Sequence, residues 1–205
     1  MKKRMKGKLP PLGDREEYIE RHLFNELRWM LAAATEWSIQ KEQLALEISG
    51  YHMDVFAMDS TFLHARALFE FFLNPTKGNY YGRTEFTSAN LASDSYSNKV
   101  SGWSGPLHSH LMHAQDRSKG RKLETPDGAK DLNEMPVYFA REVLRLWEEF
   151  EDALLNSGDQ QDRRLGSLAR KKRNEAINSA RCVTNSKVAE RHAQEKGIQL
   201  KPVFG

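Results

Sequence analysis

Residues 106–117 contain the densest group of side chains able to do acid–base chemistry. His110 and His113 lie three residues apart, and Arg117 follows four residues later. These steps place the three side chains on one side of a helix. Imidazole exchanges protons near neutral pH, so His113 could act as general base or acid on an RNA 2′-hydroxyl. Arg117 would then stabilise the phosphate in the transition state.

The same histidines also permit a metal site. His110 and His113 could bind one ion, with His64 or Asp116 completing its coordination. Neither spacing is specific, and the HExxH signature of zinc enzymes is absent from the sequence. We therefore predict no metal and no other cofactor, and a metal-bearing helical enzyme is the weaker alternative.

Residues 51–73 are predicted to form the central helix that supports these groups. Two mostly apolar rows repeat there at helical spacing, so the helix must be enclosed by others. Its polar stripe is Asp59, Arg66 and Glu70. Charge in so apolar a helix is costly unless it is paired or used, which makes Arg66 a further catalytic candidate. His64 lies in an apolar row, which is more typical of a hydrogen-bonded core histidine than of a ligand.

Helical periodicity predicts an all-α fold, an antiparallel bundle of four or five helices. The expected helices lie near residues 14–37, 40–73, 106–117 and 132–157. Pro75 ends the second, because the residue before a proline is pushed out of helical conformation. The predicted division of the chain is a basic N-terminal arm at 1–13, a helical bundle domain at 14–158 and a basic C-terminal arm at 159–205.

The net charge of +3 conceals an acidic body between these two arms. Residues 1–8 carry five basic residues and no acidic one, whereas residues 159–205 carry eleven basic and five acidic residues. The C-terminal arm is expected to be partly helical or disordered, and either to become ordered on a partner or to stay mobile. Its stripe of large apolar residues, Leu165, Leu168 and Ile177, is too thin to fold alone.

Basic arms commonly bind nucleic acid, although solvated arms have the same composition. The candidate nucleic-acid-binding residues are Arg170, Lys171, Lys172 and Arg173 in the C-terminal arm, and Tyr80, Tyr81 and Arg83 in the long loop after the central helix. Aromatic rings interleaved with cations could stack on unpaired bases and neutralise phosphates. Alternatively, the aromatic residues of the loop pack back onto the bundle.

The string FLHARALFEFF, followed by a long loop, a tryptophan and the string HLMHAQDR, resembles helical proteins of the HEPN type (higher eukaryotes and prokaryotes nucleotide-binding). The sequence is most similar to a prokaryotic branch associated with abortive infection or left uncharacterised. The resemblance covers residues 14–158. It implies a frequently dimeric bundle and, in active members, a metal-independent endoribonuclease. Active members carry an arginine, four to six residues, then a histidine; Pro106, Leu107 and His108 stand where that arginine should lie.

The sequence thus predicts a cytoplasmic, nucleic-acid-acting protein of prokaryotic defence or toxin type. The catalytic candidates are His113, Arg117, Arg66 and His110, with Arg117 or Arg66 replacing the missing arginine. The alternative is a non-catalytic module that binds nucleic acid or protein. Expected partners are RNA or another nucleic acid, a second copy of the chain, and a protein held by the C-terminal arm. No stretch approaches the roughly 18 apolar residues of a membrane span, so no membrane is expected.

Overall fold

The structure, a computed structural model, describes residues 10–44, 53–73, 81–87 and 134–204. In these ranges the chain forms helices and no strand, which confirms the all-α prediction there. The first helix, α1, is continuous through four segments: Leu12–Glu17, Tyr18–Leu23, Phe24–Trp37 and Ser38–Gln43. The others are α2 (Met53–Leu73), α3 (Met135–Leu155), α4 (Gln160–Thr184) and α5 (Lys187–Lys196), with one 3₁₀ turn at Arg83–Glu85. The helix expected at 106–117 lies outside the described residues.

Helix α1 is longer than its sequence pattern predicts, and it contains two π-helical turns. The apolar residues that recur in it at helical spacing are buried: Ile19, Leu23, Leu27, Met30, Ala34 and Trp37. The π turns are Tyr18–Leu23 and Ser38–Gln43. At the second one the Leu44 N–H donates to the Ile39 carbonyl at 2.9 Å, and both side chains are buried. The prediction of a helix at 40–73 is therefore wrong at its start, because residues 40–43 continue α1.

Helix α2 is the buried central helix that its two apolar rows predict. The fully or nearly fully buried side chains are Ala57, Thr61, Phe62, Ala65, Leu68, Phe69, Phe71 and Phe72. The hydroxyl of Thr61 donates to the Ala57 carbonyl at 2.8 Å, so even this polar side chain is satisfied within the helix. The rings of Phe62 and Phe72 pack edge-on against Phe139 and Trp147 of α3.

The helix directions differ from the predicted antiparallel arrangement. Helix α2 runs antiparallel to α1, because Tyr18 meets Phe71 and Glu26 meets His64. Helix α3, however, runs parallel to α2, since its contacts advance along both helices together. Residues 74–134 separate these two helices, and a long connection permits neighbours to run in the same direction. Helix α4 returns antiparallel to α3, which gives an up-down-down-up bundle.

Helix α4 belongs to the same hydrophobic core as α1, α2 and α3. Asp159 caps its start by accepting a hydrogen bond from the Gln161 N–H at 2.8 Å. Its buried positions are Leu165, Gly166, Ala169, Ala176, Ile177, Ala180 and Thr184. The indole of Trp147 donates to the Ala169 carbonyl at 3.1 Å. The expectation that this segment becomes ordered only on a partner is thus wrong. Small buried residues lie beside the few large apolar ones and together with them form a face wide enough to pack on the bundle.

Helices α3 and α4 pair in one uniform register. Leu155 lies against Gly166, Glu151 against Arg170, and Glu148 against Arg173. From one pair to the next, the residue number falls along α3 by as much as it rises along α4. Gly166 has no side chain, and a Cβ at this position would lie 2.8 Å from the Leu155 Cγ. The two helices therefore approach closely at this crossing.

The last described segment folds back onto the bundle. Ala189 and Ala193 of α5 pack on Ile39 and Leu44 at the end of α1. Gly197 ends α5 with a left-handed backbone (φ 63°), which glycine adopts without the strain a Cβ would cause. The chain then returns to the main core, where Phe204 is buried. None of the helices in the described ranges combines the length and apolarity needed to cross a membrane.

Candidate functional site

Three of the four catalytic candidates lie outside the described residues. These are His110, His113 and Arg117, and the same holds for Tyr80 of the aromatic loop. The fourth, Arg66, lies on α2, and its Nε donates to Glu70 at 2.9 Å. Both side chains of this pair are partly exposed. Arg66 is thus satisfied by its own helix and stays a candidate by prediction only.

His64 links its own helix, α2, to α1. Its Nδ1 lies 2.7 Å from the Glu26 carboxylate of α1, and its ring packs beside Trp29. This matches the interpretation of His64 as a hydrogen-bonded histidine of the bundle. Over the described ranges, no three histidine, cysteine or acidic side chains converge as metal ligands would.

The described part of the aromatic loop packs on the bundle. The Tyr81 ring lies 4.9 Å from the ring of Tyr18, and Phe86 is buried in the core. Arg83 is partly buried, and this burial lowers the pKa of its guanidinium from the ordinary value. Because the Tyr81 ring contacts both Tyr18 and the buried Phe86, the packing alternative accounts for these residues better than the stacking one.

The basic run at 170–173 divides into two pairs with different environments. Arg173 is 18% exposed and binds the Glu151 carboxylate through two nitrogens, at 2.8 and 3.2 Å. Glu151 is 1% exposed; burial raises its pKa, and the hydrogen bonds from Arg173 act in the opposite direction. Lys172 is 16% exposed and lies 4.8 Å from the Phe24 ring centroid, with its ammonium 2.8 Å from Glu175. These two cations hold α4 to the body.

Arg170 and Lys171 are held loosely by comparison. Arg170 is 51% exposed, and its guanidinium lies 3.5 Å from Glu151 and 3.4 Å from Asp152. Lys171 is 70% exposed, and its ammonium lies 3.9 Å from Glu175. The pairs with Asp152 and Glu175 are exposed, and such pairs contribute about 0–1 kcal/mol, so another anion can replace these two carboxylates at little cost.

Arg170 and Lys171 belong to a larger exposed surface, which we call the outer face of α4. Its members follow one another at helical steps: Arg163, Ser167, Arg170, Lys171, Asn174, Asn178 and Arg181. All seven are exposed, four are cations and none is acidic. Between positions 163 and 181 the helix advances about 27 Å, at 1.5 Å per residue. The outer face is therefore an extended, cationic and hydrogen-bonding surface.

No protein-family model, curated protein or solved structure matches this chain. The resemblance to HEPN proteins thus stays a prediction based on the strings FLHARALFEFF and HLMHAQDR. The chemistry of the described residues has to carry the functional interpretation. In that part of the chain, the outer face of α4 is the surface best suited to a charged partner.

Sequence reasoning found only the middle of this surface. It selected the contiguous run 170–173 and missed Arg163, Arg181 and the polar residues between them. A signal was present, because positions 163, 167, 170, 174, 178 and 181 keep helical spacing without one apolar or acidic residue. A helical projection of the C-terminal arm would have revealed the outer face and separated Lys172 and Arg173 from it.

Proposed function

We propose that this protein binds nucleic acid through the outer face of α4. The observation that carries the proposal is the row of seven exposed residues that contains four cations and no carboxylate. Arginine, lysine, serine and asparagine are among the side chains that contact phosphate and sugar in protein–nucleic acid complexes. A surface about 27 Å long can meet several phosphates of one strand.

The environment of each cation supports this use. Lys171 and Arg181 are exposed, and their charged ends make long contacts, at 3.9 Å to Glu175 and 3.5 Å to Asn178. Arg163 donates from Nη1 to the Ser157 and Gly158 carbonyls just after α3, which holds its guanidinium at this end of the outer face. Phosphates that displace the weak contacts of Lys171 and Arg181 would release counterions and strengthen binding at low salt.

Affinity for single-stranded RNA, measured against salt by fluorescence anisotropy, tests the proposal. The variant Lys171→Gln/Arg181→Gln removes two cations of the outer face. The matched control, Lys187→Gln/Arg191→Gln, removes two exposed cations of α5 and changes the net charge equally. We expect the outer-face variant to lower the salt slope by about 1.4, at about 0.7 per phosphate contact. The α5 variant should leave the slope close to that of the parent.

Two results would count against this function. Equal losses in both double variants would mean that only net charge matters. No loss in either variant would remove α4 from the interface. Duplex DNA measured alongside RNA shows whether the surface distinguishes the two, because a groove or an unpaired strand presents phosphates at different spacings.

RNA cleavage is a second candidate function, favoured by the spacing of His110, His113 and Arg117 in the sequence. Total and structured RNA should be incubated with the protein in excess EDTA, beside His113→Ala. His192→Ala, a histidine of α5, is the matched control. Cleavage that persists in chelator, disappears in His113→Ala and survives in His192→Ala would support a metal-independent endoribonuclease of defence or toxin type. Binding without cleavage by any of the three would leave a non-catalytic module.

The predicted homodimer is proposed together with this function and rests on the HEPN resemblance. Light scattering behind size-exclusion chromatography gives the mass directly and separates one chain of 23.6 kDa from two. A single chain at all concentrations would remove the dimer from the proposal without affecting the outer face.

A further inference from the structure

We propose that a pocket between α3, α4 and the returning C-terminal segment binds a small organic anion. The pocket has a volume of about 220 Å³. Its wall combines charged and apolar side chains: Arg141, Leu144 and Arg145 of α3, Arg173 and Ile177 of α4, and Val203. This proposal is independent of nucleic-acid binding, because Arg141, Leu144 and Val203 are not part of the outer face.

The size of the pocket limits the class of ligand. Water occupies about 30 Å³ per molecule in the liquid, so this volume corresponds to roughly seven waters. That is room for one aromatic ring or a short aliphatic chain with a charged head. Leu144, Ile177 and Val203 supply the apolar wall on which such a body would be buried.

The charges of the pocket favour an anionic head. Three guanidinium groups line the pocket against one carboxylate, that of Glu148. Arg173 is already engaged by Glu148 and Glu151, and Arg145 by Glu149. The uniform register of α3 and α4 sets Arg141 opposite Ala180, and α4 contains no acidic residue after Glu175. Helix α3 supplies Arg173 of α4 with two glutamate partners, whereas the described residues of α4 place no carboxylate opposite Arg141.

Arginine is well suited to the proposed contact. Its planar guanidinium can donate two parallel hydrogen bonds to a carboxylate or a phosphate. Arg141 lines the pocket and is exposed, so its head group can meet an anion whose body lies against the apolar wall. The shared chemistry is therefore an oxyanion attached to a small apolar body.

Isothermal titration of the full chain with phenyl phosphate, benzoate and inorganic phosphate tests the site. We expect phenyl phosphate or benzoate to saturate one site per chain, and the better of the two identifies the head group as phosphate or carboxylate. In Arg141→Gln this affinity should fall about tenfold or more, as expected for a lost charge-assisted hydrogen bond. The matched control Lys187→Gln removes an exposed cation of α5, outside both the pocket and the outer face, and should keep the parent affinity.

A second variant tests the apolar wall without changing charge. Leu144→Phe should fill the pocket and abolish binding, while far-UV circular dichroism confirms that the helices are retained. The proposal is overturned if none of the three compounds saturates, or if Arg141→Gln binds as the parent does. It is also overturned if inorganic phosphate binds as tightly as phenyl phosphate, because the apolar wall would then contribute nothing.

Discussion

Helix α4 carries cations on two sides, and the two sets are held in different ways. On the inner side, Arg173 and Lys172 are mostly buried and are engaged by Glu151 and Phe24. On the outer side, Arg170 and Lys171 are mostly exposed, with ion-pair distances of 3.4 Å or more. The four consecutive basic residues therefore form two pairs on different sides of α4, because a helix turns about 100° per residue. The inner pair stabilises the bundle, and the outer pair leaves its charge available.

The largest effect should come from removing the inner arginine. In Arg173→Gln the buried Glu151 carboxylate loses its two-nitrogen partner, and only the more distant Arg170 remains. We expect the free energy of unfolding at pH 7 to fall by about 3 kcal/mol, as is typical when one member of a buried ion pair is removed. Urea denaturation measures this loss. Arg170→Gln, the matched control on the outer side, should cost far less.

The same variant should acquire a distinctive pH dependence. Burial already raises the pKa of Glu151 above its ordinary value of 4.5, and loss of Arg173 removes a cause that lowers it. Between the ordinary and the raised pKa the folded state binds a proton that the unfolded state does not. Stability therefore decreases as pH rises through that window. Arg173→Gln should therefore recover stability on acidification toward pH 5. The double variant Glu151→Gln/Arg173→Gln, which has no carboxylate at position 151, should recover stability at pH 7. A double variant as unstable as Arg173→Gln alone contradicts this account.

A smaller effect is expected where α4 crosses α3 most closely. A Cβ on Gly166 would lie 2.8 Å from the Leu155 Cγ and 3.0 Å from the Leu155 backbone nitrogen. Overpacking of this kind costs about 1–3 kcal/mol, partly offset by about 1 kcal/mol of helix propensity in Gly166→Ala. We expect a net loss of about 1 kcal/mol in urea. Gly13→Ala, in α1 with open space around it, should not destabilise the protein; equal effects at both glycines would contradict the close crossing.

Lys172→Gln should cost less still. It removes the ammonium from the Phe24 ring and from Glu175, contacts worth about 0.5–1 kcal/mol together. Lys172→Arg keeps the charge over the ring and should recover most of this loss. A thermal denaturation series of the parent and the two variants separates the contribution of charge from that of side-chain length.

The smallest effect on stability should appear on the outer side. Lys171→Gln is expected to change the free energy of unfolding by less than about 0.5 kcal/mol, because its side chain is exposed and its ion pair with Glu175 is long, at 3.9 Å. Affinity for RNA should fall at low salt in the same protein. If Lys171→Gln destabilises the chain as much as Lys172→Gln, the division between inner and outer cations is wrong.

The core was predictable where large apolar residues repeat, and less so where small ones do the packing. Phe62, Phe69 and Phe72 of α2 give an unmistakable helical period, and they are buried as expected. Ala169, Ala176 and Ala180 of α4 have little apolar surface each and do not stand out in a sequence. They allow α4 to lie close to its neighbours, and this close approach buries the inner side of the helix as effectively as large side chains would. For this reason the sequence did not predict that α4 is an ordered part of the bundle.

Helix direction and the candidate site were harder to derive. A connection as long as residues 74–134 allows either direction for the next helix, so the parallel packing of α2 and α3 left no local signal. The outer face could have been derived from the spacing of its exposed residues. The ion pairs of Arg173 could not, because they depend on the register between α3 and α4, which side chains distant in sequence determine.

The two π-helical turns of α1 have a consequence for how the chain tolerates length changes. A π turn contains one residue more than an α turn, and π turns inside α-helices are mostly such single-turn bulges. Deleting one residue there should convert the wide turn into a regular one while the flanking segments keep their orientation toward the core. We expect the protein without the exposed Glu20 to unfold at nearly the parent temperature. Deletion of Ala32, in the middle of the regular segment Phe24–Trp37, should instead rotate the side chains that follow it off their partners. The first π turn is thus a place where this helix can shorten without losing its alignment with its neighbours.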